Sequence, residues 1–211
     1  MKRVFFILLI ATLSLASTAQ EKTENQKTKE KVNELGLTFS NFDRFGLTYK
    51  TGRGQSVWRF HTFMISKFKQ KSELSDYQTD SKHNNVDYTV KIGRAHISQI
   101  KDDFDFRFGV DFFYSYSKDK DESNNVNDGP AEAMNERILH SFGMNFVFGF
   151  HHLVNEHILI GAEFLPHFSY RTGSSESYTN YENEDSESLD ISGYSYGLSN
   201  NSVQVNLIYR F

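Results

Sequence analysis

The sequence predicts an all-β protein: a closed, antiparallel, up-and-down transmembrane β-barrel of about eight strands. Three observations predict it. Residues 104–116 read F-D-F-R-F-G-V-D-F-F-Y-S-Y, with Phe104, Phe106, Phe108, Val110, Phe112, Tyr114 and Tyr116 on one parity and Asp105, Arg107, Gly109, Asp111, Phe113 and Ser115 on the other. Period two over thirteen residues is a strand with one aromatic face and one charged or small face. Strands of soluble proteins run to about 5–6 residues, whereas a tilted membrane strand needs roughly 9–11. The second observation is composition. Mean hydropathy is −0.56, yet the chain carries 20 Phe and 11 Tyr, as expected where strands solvate one face and bury the other in lipid. The third is rhythm: short turns (51–55, 101–103, 152–156) alternate with long polar segments (69–85, 118–136, 172–190), the asymmetry between the two ends of a membrane barrel.

The 211 residues suffice for one domain. Residues 1–19 predict a secretory signal: Met1-Lys2-Arg3, an apolar run over 4–15, then Ala16-Ser17-Thr18-Ala19, with cleavage before Gln20. That run is shorter than the ~20 residues of a spanning helix, and no later segment approaches that length, so a helical membrane protein is excluded. Cysteine is absent, so the chain has neither disulfide staples nor a lipid-modified cysteine. Without Lys2 and Arg3 the chain holds 21 basic and 27 acidic residues, a net charge near −6. That balance argues against a nucleic-acid partner.

Taken in order, residues 20–34 form a charged, flexible lead, and the barrel occupies 35–211. Leu35, Leu37 and Phe39 alternate with Gly36, Thr38 and Ser40, and Phe45, Leu47 and Tyr49 resume the apolar face, which places a bend or bulge at 41–43. A strand over 56–68 starts with Trp58 at an interfacial girdle. Val86, Tyr88, Val90 and Ile92 form the next apolar face, which slips after Gly93-Arg94 as a bulge would make it. After the 104–116 strand comes a long mobile loop over 118–136. Ile138, His140, Phe142, Met144, Phe146, Phe148 and Phe150 follow as another clean face. Ile158, Ile160, Ala162, Phe164, Phe168 and Tyr170 continue it, with Glu163, His167 and Arg171 inside. The acidic loop 172–190 precedes Tyr194, Tyr196 and Leu198, and then Val203, Val205, Leu207, Tyr209 and Phe211 on the opposite parity. Either a hairpin separates those groups or one long strand carries a bulge. A periplasmic C-terminus favours the long strand, with an additional short strand made from 35–40.

The last nine residues, V-Q-V-N-L-I-Y-R-F, resemble the C-terminal signature of bacterial outer-membrane β-barrels. In that class a terminal Phe preceded by apolar residues at alternate positions is the strand recognised during insertion; here Phe211, Tyr209 and Leu207 match. The mature chain is similar in length and strand rhythm to small barrels of the OmpA/OmpX-like architecture. The resemblance implies residence in the outer membrane of a Gram-negative bacterium. It also implies contact with outer-membrane lipids and lipopolysaccharide, and engagement of the barrel-assembly machinery. No functional motif comes with it, because that class shares architecture rather than a site.

Candidate chemistry is sparse. An eight-stranded barrel has a bore just wide enough to be filled by side chains. Asp105, Arg107, Asp111, Lys91, Glu163 and Arg171 are therefore expected to form an ionic network within it. His151, His152 and His157 crowd one turn, but no acidic or cysteine partner stands at ligand spacing. Residues 119–130 begin like a calcium loop but lack the glycine at the sixth position and the glutamate at the twelfth. Ser141, His140, Ser169, His167 and Glu163 are the residue types a barrel enzyme needs, without diagnostic spacing. The expectation is a monomeric, non-enzymatic barrel without cofactor or metal. Its role would be membrane integrity, adhesion through the long loops, or limited porin-like passage of small solutes. The alternatives are a lipid-modifying barrel enzyme and a soluble lipocalin-like binder, the latter disfavoured by the small, polar inward parity.

Overall fold

A computed structural model describes residues 31–41, 44–65, 68–74, 79–125, 131–181, 183–199 and 202–211. The expected signal, the lead as far as residue 30, positions 42–43 and the Asn127-to-Pro130 stretch lie outside them. The described strands are β1 (Lys31–Asn41), β2 (Arg44–Arg53), β3 (Ser56–Ile65), β4 (Phe68–Leu74), β5 (Thr79–Lys101), β6 (Phe104–Asn125), β7 (Ala131–Leu153), β8 (Ile158–Phe164), β9 (His167–Tyr181), β10 (Asn183–Gly197) and β11 (Val203–Arg210). The described residues contain no helix.

Eight of these strands close a ring in the order β7-β6-β5-β3-β2-β1-β11-β8, and β8 returns to β7. All pairings are antiparallel. Alternation sets the faces: outward residues oppose outward residues across each ladder, as in Tyr170↔Phe142↔Tyr114↔Val90. The same line continues through Thr62, Leu47, Leu37, Leu207 and Ile160, returning to its starting path ten residues below Tyr170. A climb of about 33 Å over a girth of about 38 Å tilts the strands by roughly 40°.

Three paths are each divided into two strands, β3 and β4, β8 and β9, and β10 and β11, and the last two divisions lie side by side. Pro166, which has no N–H to give a ladder, separates β8 from β9, while its carbonyl accepts from Phe146 N at 2.9 Å and Leu165 N donates to Ser202 O at 2.7 Å. Opposite it, five residues (198–202) separate β10 from β11 where the partner path has two (165–166). The excess of three is odd, so the outward parity switches from Tyr194 and Tyr196 to Val203 and Val205. The ending is thus one long path with an irregularity, not a hairpin. Residues 35–40 supply the extra strand β1, and its ladder with β2 shifts register between Phe39 and Asn41, next to the stretch where a bend or bulge is expected. Both ends of the barrel meet at one rim, where Phe211 N donates to Asn33 O at 3.0 Å.

Three expectations need correcting. The strand begins at Lys31 rather than 35, so Lys31 to Glu34 belong to the barrel and not to the lead. No bulge follows Gly93: the β5–β6 register runs unbroken to Gln99↔Asp105. The parity only looked shifted because Ala95 and Ile97 point inward, into an apolar plug with Val57 and Val32, while Arg94 faces outward. The polar stretches 79–85, 118–125, 131–136, 172–181 and 183–190 are strands, not loops. Both of their faces are solvated, which erases the period-two signal.

Those polar strands raise part of the wall. β5, β6 and β7 run 23, 22 and 23 residues, whereas β1 and β2 run 11 and 10. Above the ring stands an open sheet in the order β4-β5-β6-β7-β9-β10, and among the described residues its edge strands β4 and β10 have no second neighbour.

Candidate functional site: a filled bore beneath an open sheet

The ring points its small and charged parity inward, and the tilt decides which strands meet across the bore. Glu163 on β8 is the centre of one cluster. It accepts from Lys50 Nζ at 3.0 Å and from Arg59 Nη1 and Nη2 at 3.1 and 2.6 Å. His151 Nε2 lies 3.5 Å from the same carboxylate. Arg59 also faces Asp111, Nε to Oδ1 at 3.1 Å, and approaches His61 Nε2 at 3.1 Å. A second cluster, nearer the base, forms around Glu34. Arg107 donates to it through both terminal nitrogens at 2.7 and 3.0 Å, and Arg210 through Nη2 at 2.9 Å. Asp105 joins through Arg107 at 3.3 Å and Arg210 at 3.4 Å.

Glu34, Lys50, Arg59, Arg107, Asp111 and Glu163 are all buried. An isolated charge there would cost several kcal/mol, so opposite charges and forked arginine geometry are what make the interior tolerable. Two glycines make room. A Cβ at Gly161 would press against the His151 ring, and one at Gly93 would strike the Asp111 carboxylate. Beneath these clusters Val57, Ala95 and Ile97 close the base.

Of the residues expected in one network, Asp111 and Glu163 meet at Arg59, and Asp105 and Arg107 meet in the separate cluster around Glu34. Lys91 lies with its ammonium over the Phe63 ring at 4.8 Å. Arg171 stands apart, exposed on the raised wall opposite Ser141 and Gly193. Sequence reading missed Glu34, Lys50, Arg59 and Arg210. Their inward parity was available for all but Glu34, which was hidden in a run that resembles the charged lead.

The histidines of the 151–157 turn diverge. His151 is buried beside Glu163, His152 is exposed near Asp103, and His157 stacks on Tyr209 while its Nδ1 lies 3.1 Å from Arg210 O. Among the described residues no three His, Asp or Glu side chains are grouped to hold a metal ion. The candidate hydrolytic set is likewise scattered. His140 meets the Tyr114 hydroxyl on the outer face at 2.9 Å, His167 meets Ser195 at 3.3 Å, and Glu163 is locked in the bore. No serine there has a histidine backed by a carboxylate.

Outside, two aromatic girdles bracket the apolar band. The lower contains Phe104, Phe106, Phe150 and His152, with Trp58 against Arg94. The upper contains Tyr88, Tyr116 and His140, and Tyr170 against Tyr194 at 5.1 Å. Amphipathic rings prefer the headgroup level, which fixes the barrel vertically. Above the upper girdle the sheet is held by cross-strand polar pairs: Lys118 to Glu136 at 2.7 Å and Asn85 to Asp119 at 2.5 Å. The Glu136 carboxylate that accepts from it holds the Lys118 ammonium above the usual lysine range.

No protein-family model matches the chain, and no curated protein does. Among solved structures it is similar to a major outer membrane protein from Thermus thermophilus, at 8% identity and a TM-score of 0.45, over 86% of this chain and 99% of that one. It is also similar to Acinetobacter baumannii CarO2 (8%, TM-score 0.42, 89% and 100%) and CarO (8%, TM-score 0.36, 89% and 99%). At these values the likenesses carry no argument about this chain.

Proposed function

We propose that this protein is a small, non-enzymatic outer-membrane β-barrel of a Gram-negative bacterium whose ring is a closed anchor and whose raised sheet is the working part. On this reading the sheet acts by contact, as an adhesion or docking surface outside the cell, and the bore conducts little. The observation that carries it is the bore itself: at the level of Glu163, Lys50 and Arg59 the side chains filling the ring are wholly buried. The barrel is anchored in outer-membrane lipid and lipopolysaccharide as a monomer. Leu207, Tyr209 and Phe211 on the terminal strand present the signal read by the assembly machinery.

Purified protein in planar bilayers tests this. Little or no steady conductance is expected. A large, stable single-channel conductance from the unmodified protein would overturn the anchor reading in favour of solute passage.

A further inference from the structure

Cluster by cluster, the charges in the bore balance except for one. Glu163 and Asp111 face Lys50 and Arg59, and Glu34 and Asp105 face Arg107 and Arg210, two carboxylates to two cations each time. At the rim Arg44 is matched by Asp87. Lys91 is the surplus. Among the described residues no carboxylate lies within ion-pair distance of its ammonium, which leans onto the Phe63 ring of β3 at 4.8 Å. Asp111 stands on the other side, on β6, and already faces Arg59 at 3.1 Å.

The ammonium leans toward side chains with hydrogen-bonding capacity to spare. Lys91, His61 and Thr48 are consecutive cross-strand neighbours on β5, β3 and β2, a relation that brings Cβ atoms to about 4.5–5.5 Å. His61 is 4% exposed and Thr48 1%. Arg59 can only donate, so His61 Nε2, 3.1 Å from Arg59 Nη2, is the acceptor, and the neutral ring carries its proton on Nδ1. That Nδ1 has no partner, and neither has Thr48 Oγ1. On the facing wall, at the height of His61 by the strand tilt, the buried Gln204 leaves both amide atoms unpartnered. A buried donor left unpaired is costly, and here two of them stand beside a surplus cation.

We propose that Lys91, His61 and Thr48 hold a small monovalent anion of the size of chloride in the upper bore, through the ammonium, the Nδ1–H and the hydroxyl. A single surplus charge asks for a single counter-charge. The burial of His61 and Thr48 excludes anything large, while the half-buried Lys91 leaves a way in from the side of the raised sheet. Gln204 closes the far side, directly or through a water. The ion completes the neutrality of the bore, so that the plug is held by an electrolyte as well as by its own side chains.

The inference rests on the closed-bore reading above, and one preparation tests the two separately. Purified protein in detergent micelles is unfolded in urea at fixed ionic strength while potassium gluconate is exchanged for potassium chloride. The midpoint should rise with chloride along a saturating curve, whereas screening alone depends on ionic strength and not on which anion supplies it. K91M keeps the volume, removes the surplus charge and should abolish the response. T48V should weaken it, and K118M, in the raised sheet, should keep it whole. Broadening of the chloride NMR line reads binding without unfolding, and in K91M it should fall to the level of protein-free micelles. Equal midpoints in the two salts, or a response that K91M retains, would overturn the site. In planar bilayers a large, stable conductance from the same preparation would sink the closed bore itself. Silent bilayers with a flat chloride titration would overturn the anion site alone.

Discussion

The lower ring and the raised sheet are continuations of the same strands, yet they satisfy their polar groups in opposite ways. In the ring every strand has two neighbours, and charges are buried in pairs such as Arg107 with Glu34. In the sheet the edges β4 and β10 have no second neighbour among the described residues, and pairs such as Lys118 with Glu136 stand partly in solvent. The difference shows what each solvent demands. Lipid offers no hydrogen bonds, so a strand there must be closed on both sides; water supplies them, so an edge can remain.

That contrast can be broken most severely at Glu163. E163Q keeps the volume but strands Lys50, and half of Arg59, without a carboxylate. Removing one partner of a buried pair costs about 3–5 kcal/mol, which urea unfolding in detergent micelles would read. A loss under about 1 kcal/mol would mean that the bore is wet and the pair screened.

The next effect sharpens the border between the regions. Phe112 is 58% exposed in the middle of the band, and F112R should cost about 2–4 kcal/mol, against about 0–1 for Y116R at the upper girdle. Equal tolerance at both positions in a lipid-vesicle folding assay would contradict the assignment of the band.

The smallest effect is expected in the sheet. E136Q removes the negative charge paired with Lys118, but both groups are partly exposed, so the loss should stay a small fraction of that of E163Q and shrink further in salt. A loss comparable to that of E163Q in the same urea titration would show that the sheet is as integral as the ring.

The same contrast explains what could be read in the sequence. Where lipid and bore face opposite sides of a strand, as in β6 and β7, period two is enforced, and the barrel, its facing and Asp105, Arg107, Asp111 and Glu163 were legible. Where water bathes both sides, as in 118–125 and 172–181, nothing enforces it, and strands looked like loops. The partners of the inward charges were not legible for another reason. Whether Glu163 meets Arg59 or Arg171 depends on the ten-residue climb around the ring, a global quantity that no local pattern carries. Ala95 and Ile97 show the remaining failure: an apolar plug at the base mimics a change of facing.

The odd excess of residues between β10 and β11 has a consequence for how this chain can change. With five residues opposite two, the orientation of everything on β10 is tied to the evenness or oddness of that segment. Gaining or losing two residues at 198–202 would leave Tyr194 and Tyr196 outward. Gaining or losing one would turn both tyrosines toward the bore and send Ser195 into lipid, unless the slip were absorbed elsewhere. Length variation here is therefore constrained in steps of two, much as a reading frame is constrained in steps of three.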